Sequence, residues 1–377
     1  MSKKIIVLGA GLVGSAIALD LARSGYSVTS ADRDETSLLS LDGKHGIQTR
    51  KADFMDPSTL ESLLKDKDLV VGAAPGALGF RLMELVIRNN RNMVDISFCP
   101  EDYLELNELA MENDVTVVGD MGVAPGMCNA ILGYHDSKMN VSSYKCIVGG
   151  LPMKRNWPLE YKSSWSPIDC IEEYTRPARL MVNGKVVTKP ALSDAELVDF
   201  EEVGTLEEWK SDGLRSLLQT MKHIPDMAEK TLRYPGTINY IKAIRELGFF
   251  SYDSIETEQG PVRPIDITAK LLFPKWKLET GEEEFTIMRV DITGTDEDGQ
   301  RTFRYDLFDA YDRDTDTLSM ARTTGYTCSG VATLILEGML KKRGVLAPEQ
   351  VGGDEENFNF LLDYLHRRNV KYRKQEL

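Results

Sequence analysis

Over residues 1 to about 120 the hydrophobic positions fall in short continuous runs. "KIIVLGAG", "YSVTSAD", "DLVVGAA", "NMVDIS" and "VTVVGD" are separated by stretches of helical length and bounded by turn residues. Continuous Val/Ile/Leu runs mark strands buried on both faces, so the pattern predicts a Rossmann-type, doubly wound α/β domain on a parallel sheet. After "GVAPGMCNAILGYH" the rhythm changes. "SYKCIVGG" reads as a strand, and "RLMVNGKVV" as a hairpin turning at Asn183-Gly184. "EFTIMRVDITG" and "RTFRYDLFDAYD" flank the acidic "TDEDGQ" as a second hairpin, with helical stretches such as "TINYIKAIRELG" between. Residues from about 123 to 320 therefore predict an α+β domain on a mostly antiparallel sheet. "KTLRYPG" is a short strand entering a Pro-Gly turn, and "RTTGYTCSGVATLILEGMLKKRG" predicts an amphipathic helix ending at Gly344 as its C′ glycine.

A chain of 377 residues predicts two domains. Its net charge of -14 argues against nucleic acid or an anionic membrane as the main partner. The apolar run after Met1 is too short for a signal peptide, and no stretch reaches the roughly 18 apolar residues of a membrane span, so a cytoplasmic protein is expected. Five cysteines without close spacing read as free thiols, and four scattered histidines predict no metal site.

"VLGAGLVG" places Gly9, Gly11 and Gly14 in GxGxxG spacing, with Leu12 and Val13 opening a helix directly after a strand. The first glycine permits the tight turn, the second lets a pyrophosphate approach the backbone, and the third lets the helix pack on the sheet. Asp32 ends the second strand, where a carboxylate accepts from ribose hydroxyls and repels a 2′-phosphate, favouring NAD; Arg33 beside it keeps NADP open. A flavoprotein would show a second FAD-contacting motif, and none is present. Ligands gather at the carboxyl ends of parallel strands, which nominates Asp53, Ala73, Ala74 and Pro75 for the cofactor, then Asp95, Ser97 and the segment from Asp120 to Gly126.

The ordered set "GVAPGM", "GGLP", "PLEYKSSWS", "TLRYPG" and "RTTGYTCSGVA" resembles the saccharopine dehydrogenase-like family, and "DMGVAPGM" with "KRGVLAPEQV" resembles its lysine 6-dehydrogenase branch. The resemblance implies a dinucleotide domain of residues 1–122 completed by about 321–377, with 123–320 inserted as a substrate domain often used for dimerisation. It implies oxidation of a C–N bond of an amino acid or secondary amine. Substrate carboxylates would be held by arginine, a role that falls here on Arg233, beside Tyr234. Ser164-Trp165-Ser166 would line the cofactor–substrate cleft, with Trp165 toward substrate and Ser166 toward cofactor. The chain departs from the glutamate-forming saccharopine reductases in three places: Ala124 replaces the aspartate of "GLDPG", Val148 replaces a cysteine before "GGLP", and "DGLRSL", with Arg215, replaces an asparagine-arginine-aspartate-serine stretch.

Hydride leaves an amine-bearing carbon only when the nitrogen is neutral, and a free lysine amine has a pKa near 10.4, so the site needs a base or a lowered pKa. Asp120 is the first candidate, with a helix-capping role as its structural alternative, and Asp95 is the second. His135, inside the next helix, reads as a core or surface residue. The expectation is NAD-dependent lysine 6-dehydrogenation in a homodimer. The alternatives are a saccharopine or carboxynorspermidine-type dehydrogenase, or a non-catalytic NAD-binding regulator.

Overall fold

The computed structural model describes residues 2–279 and 281–377. The first third supplies β1 (Lys4–Leu8), β2 (Ser27–Asp32), β3 (Gln48–Lys51), β4 (Leu69–Gly72), β5 (Asn92–Asp95) and β6 (Thr116–Val118). The middle supplies β7 (Asn140–Pro152), β8 (Ala178–Val182), β9 (Lys185–Lys189), β10 (Glu196–Phe200), β11 (Gly204–Lys210) and β12 (Asp226–Arg233). A detached hairpin of β13 (Ile255–Thr257) and β14 (Gly260–Val262) follows, then β15 (Glu284–Asp296) and β16 (Gly299–Ala310). β17 (Gly344–Leu346) and β18 (Tyr372–Glu376) lie near the C-terminus.

The first sheet is parallel throughout, in the order β17-β6-β5-β4-β1-β2-β3. Alternate residues serve opposite faces. Ile5, Val7, Val71, Val94 and Val118 pack into one apolar layer, and Ile6, Leu8, Val70, Met93 and Val117 into the other. Burying each such side chain contributes about 1.5–3 kcal/mol, which is why these strands read as unbroken hydrophobic runs. The strand order reverses between β1 and β4, opening a crevice at their carboxyl ends.

The second sheet runs β10-β11-β12-β7-β15-β16-β18, with β8 bridging β12 and β9. Only the β12–β7 pairing is parallel among those described. Both predicted hairpins form. Asn183 (φ 49°) and Gly184 (φ 73°) turn β8 into β9, while β15 and β16 stay paired to Asp296 and Gly299, so the acidic loop shrinks to Glu297-Asp298. All five cysteines are buried free thiols.

Five helices position the site: α1 (Leu12–Arg23), α2 (Gly76–Arg88), α3 (Met127–Asp136), α4 (Pro167–Thr175) and α5 (Ser319–Leu336). α5 ends earlier than expected. Gly338, at φ 71°, turns the chain out of the helix, and Gly344 instead opens β17 against Thr116 of β6. A glycine that terminates the helix one element sooner frees the following residues to complete the sheet. The C-terminal region then divides, since β18 pairs with β16 in the second sheet. Among the described residues no helix is long and apolar enough to cross a membrane.

Candidate active site

A cleft of about 620 Å³ follows the carboxyl ends of β1 to β6 and continues over one face of β12. At its sheet end Gly9 has φ 112°, and a Cβ there would strike the Ala73 carbonyl; a Cβ on Gly14 would strike the carbonyl of Gly9. A Cβ on Gly11 would meet nothing within 4 Å and Gly11 lines the cleft, so a ligand can come against the backbone there. No side chain caps the N-terminus of α1, leaving its first N–H groups and the positive end of its dipole for an anion. Leu12, Val13, Asp32, Arg33 and Asp53 line this end, as do Ala73, Ala74 and Pro75. Asp32 accepts from the N–H of Ala10 at 2.7 Å and of Asp34 at 2.9 Å, fixing the glycine loop while facing the cleft. These features fit the pyrophosphate and ribose of a dinucleotide.

Beyond β6 the chain turns at Asp120, held at φ 53°. Its Oδ2 accepts from Arg215 Nε–H at 2.6 Å, and Arg215 is itself at φ 48°. Left-handed backbone costs a non-glycine residue roughly 1–2 kcal/mol, so both ends of this buried pair are held against local preference. Asp120 Oδ1 is buried without a partner, the one such atom on a cleft-lining side chain among the described residues. Burial raises the Asp120 pKa, and Arg215 offsets that only in part. The capping alternative is thus replaced by an ion pair, since Gly126 occupies the N-cap position of α3.

The second candidate, Asp95, lies behind the wall. It accepts from the Ser97 N–H at 2.7 Å and the Ser97 hydroxyl at 3.1 Å, and burial raises its pKa to about 7. Ser97 itself lines the cleft, as do Trp165 and Ser166. Arg215 stands outside the lining and meets the cleft through Asp120; its guanidinium lies 4.6 Å from the Phe98 ring centre. His135 is remote, bonded to the Tyr305 hydroxyl at 2.9 Å, and burial lowers its pKa to about 4.

Strand alternation separates Arg233 from Tyr234. Glu229, Thr231 and Arg233 occupy one face of β12 and all line the cleft, whereas Leu232 and Tyr234 join the apolar layer on the other face. Tyr234 therefore does not reach the cleft: its hydroxyl donates to the Pro152 carbonyl at 2.8 Å. Arg233 is buried, donating to Glu173 at 2.9 Å, to the Tyr174 hydroxyl at 2.9 Å and to the Leu232 carbonyl at 2.8 Å.

Sequence reasoning missed Glu229 and Thr231, and also Asp169, Glu173 and Arg176, which line the cleft from α4 and its C-cap. Their spacing of four and then three residues puts them on one helical face, a signal present in "SPIDCIEEYTR". Ala124 and Val148 also lie in the wall.

The chain is similar to known proteins over both of its parts. Residues 5–118 match the family model of the saccharopine dehydrogenase NADP binding domain, and residues 122–370 that of the saccharopine dehydrogenase C-terminal domain. The mitochondrial alpha-aminoadipic semialdehyde synthase of Rattus norvegicus is 26% identical over 278 residues, covering 69% of this chain but 30% of its own length. The chain thus spans about a third of such synthases. Saccharopine dehydrogenase (NADP+, L-glutamate-forming) of Saccharomyces cerevisiae is 26% identical over 320 residues, covering 80% of this chain and 70% of the relative. The apo structure of that L-Glu-forming enzyme from Saccharomyces cerevisiae superposes with a TM-score of 0.81 at 20% identity, covering 100% of both chains, which shows a shared fold. With both domain models matched in order along nearly its whole length, the chain belongs to the saccharopine dehydrogenase family.

Proposed function

We propose that the protein is a nicotinamide-dependent dehydrogenase that oxidises a C–N bond of an amino-acid-derived amine, with a saccharopine-type secondary amine as its donor. The observation that carries this reading is a single cleft joining an uncapped glycine cradle to a wall with buried Arg233 and the unpartnered Asp120 Oδ1. The names of the relatives support the saccharopine-type donor over lysine, the first expectation from sequence. Arg176, stacked 5.0 Å from the Phe98 ring centre, supplies a second guanidinium for a substrate with several carboxylates.

A bound nicotinamide would accept the hydride. Asp120 takes the proton that frees the amine lone pair, a task suited to a carboxylate whose pKa burial has raised. Water adds to the resulting imine, and the C–N bond breaks to leave an aldehyde and a free amine. Oxidation of saccharopine should thus yield reduced cofactor and glutamate in equal amounts.

Ala124 and Val148 favour a second reading, because an apolar wall accommodates a methylene chain without rewarding extra polar groups. Lysine turnover with release of ammonia would select it. A screen of saccharopine, lysine, ornithine and carboxynorspermidine with both cofactors decides between them, and no reduction with any donor would leave a non-catalytic NAD-binding regulator.

For the cofactor, the relatives' names and the matched domain point to NADP, against the NAD read from Asp32. Both Asp32 oxygens hold backbone N–H groups and keep lone pairs for ribose hydroxyls, so kcat/KM should be higher with NAD. Asp32→Ala should move preference toward NADP. A wild-type preference for NADP would mean that Arg33 takes the 2′-phosphate and Asp32 serves only the loop.

A further inference from the structure

The far wall of the cleft holds a hydrogen-bonded chain of four side chains. Glu229 Oε2 lies 2.6 Å from Ser211 Oγ, Ser211 Oγ 2.8 Å from Thr231 Oγ1, and Thr231 Oγ1 2.7 Å from Glu173 Oε1. The other Glu173 oxygen takes an N–H of Arg233 at 2.9 Å. Each of the three oxygen–oxygen contacts requires one hydrogen, and the two hydroxyls bring only two. The third must sit on a carboxyl group. Glu173 is the ion-pair partner of Arg233 and Glu229 has no such partner among the described residues, so the proton belongs to Glu229.

The surroundings of Glu229 agree. It is 6% exposed and lines the cleft. Three other buried acids have cations of their own: Asp120 has Arg215 at 2.6 Å, Asp212 has Arg179 at 2.8 Å, and Glu208 has Lys230 at 2.5 Å, whereas Asp95 and Asp169, like Glu229, are in no ion pair among the described residues. What faces Glu229 is uncharged or acidic: Ser211 and Asp212 after β11, Glu173 of α4, and Cys146, its register partner on β7. Burial, reinforced by Glu173 and Asp212, raises its pKa to about 8.

Arg233, by contrast, is fixed and incompletely used. Its guanidinium lies 4.1 Å from the Tyr161 ring centre, 5.2 Å from Trp209 and 5.4 Å from Tyr174. Among the described residues three of its five N–H groups have acceptors, leaving one on each terminal nitrogen.

We propose that Glu229 exchanges its proton for the ammonium of an α-amino-acid head group whose carboxylate is taken by Arg233, making Glu229 the residue that selects zwitterionic amino acids over plain amines or acids. The exchange balances: the neutral carboxyl becomes a carboxylate paired with the incoming ammonium, and one proton passes to solvent. An amino-acid head group with a hydrogen bond at each end bridges about 9 Å, and the hydroxyl chain couples the two ends. This deepens the proposed function, since saccharopine and lysine both carry such a head group away from the reacting nitrogen.

Binding to the wild-type holoprotein, kept from turning over by saturating reduced cofactor, tests the exchange. Calorimetry with L-saccharopine and L-lysine at pH 7, in buffers of different ionisation enthalpy, should show about one proton released per amino acid bound, falling away above pH 8. Glu229→Gln keeps a donor for Ser211 but has no proton to lose. It should bind the tighter of the two amino acids about 10- to 100-fold more weakly, with no release. 6-Aminohexanoate, which lacks the α-amino group, should release no proton and bind both proteins alike. Unchanged release in Glu229→Gln, equal weakening of 6-aminohexanoate, or no binding of either amino acid overturns the proposal. Proton-releasing binding without oxidation of any donor would sink the proposed reaction and leave this site standing, whereas turnover with unaltered KM in Glu229→Gln would do the reverse.

Discussion

Asp120→Asn should lower kcat by about 100- to 10,000-fold, the range expected when a positioned general base is removed. The substitution keeps the shape of the side chain and an oxygen for Arg215, so the effect should fall on the chemical step rather than on folding. Asp120 Oδ1 is buried and unpartnered on the cleft wall, so no side chain among the described residues competes with the substrate amine for it. In wild type, kcat should rise with pH as Asp120 loses its proton, at a value above the ordinary carboxylate range because burial raises it. The variant should lack that acid limb. An unchanged kcat would reduce Asp120 to the structural counter-ion of Arg215 and pass the base role to Asp95, acting through the Ser97 hydroxyl that connects it to the cleft.

The readable parts of this site were those written in local spacing. The glycine fingerprint and the acid ending β2 recur in the structure as a cradle and a loop-fixing carboxylate because Gly14 packs on Gly9 and Asp32 holds Ala10 within one βαβ unit; only the approach of Ala73 to Gly9 comes from outside it. Arg233 was legible as a cation, but reading only the turn after it drew attention to Tyr234, which alternation sends to the opposite face. Stepping back along the strand by twos would have reached Thr231 and Glu229. The i, i+4, i+7 row of Asp169, Glu173 and Arg176 was equally available, since helical spacing alone places them together.

Other features depend on long-range closure and leave no local mark. Arg215 and Asp120 are 95 residues apart in sequence, and no propensity scale indicates that each adopts a left-handed backbone to meet the other. The end of α5 belongs to the same class. Two glycines lay within reach, and the need of β6 for a neighbour, supplied by β17, decided between them.

Arg215→Met should destabilise the fold by about 3–5 kcal/mol, because it leaves a carboxylate buried without its cation. Methionine approximates the length of the side chain and keeps an apolar contact with Phe98, so the loss reports charge more than volume. Its dependence on pH separates the two. The folded-state pKa of Asp120 already lies above the unfolded value, so its contribution to stability is fully present below the unfolded pKa and is lost as pH rises through the folded one. Arg215 works against that rise, and removing it extends the unfavourable range further upward. Urea denaturation at a series of pH values should therefore find the gap between variant and wild type narrowing as pH is lowered, because Asp120 can then escape by taking up a proton. A gap that stays constant as pH is lowered would assign the loss to packing against Phe98 and show that Arg215 does not act on Asp120 as its counter-ion.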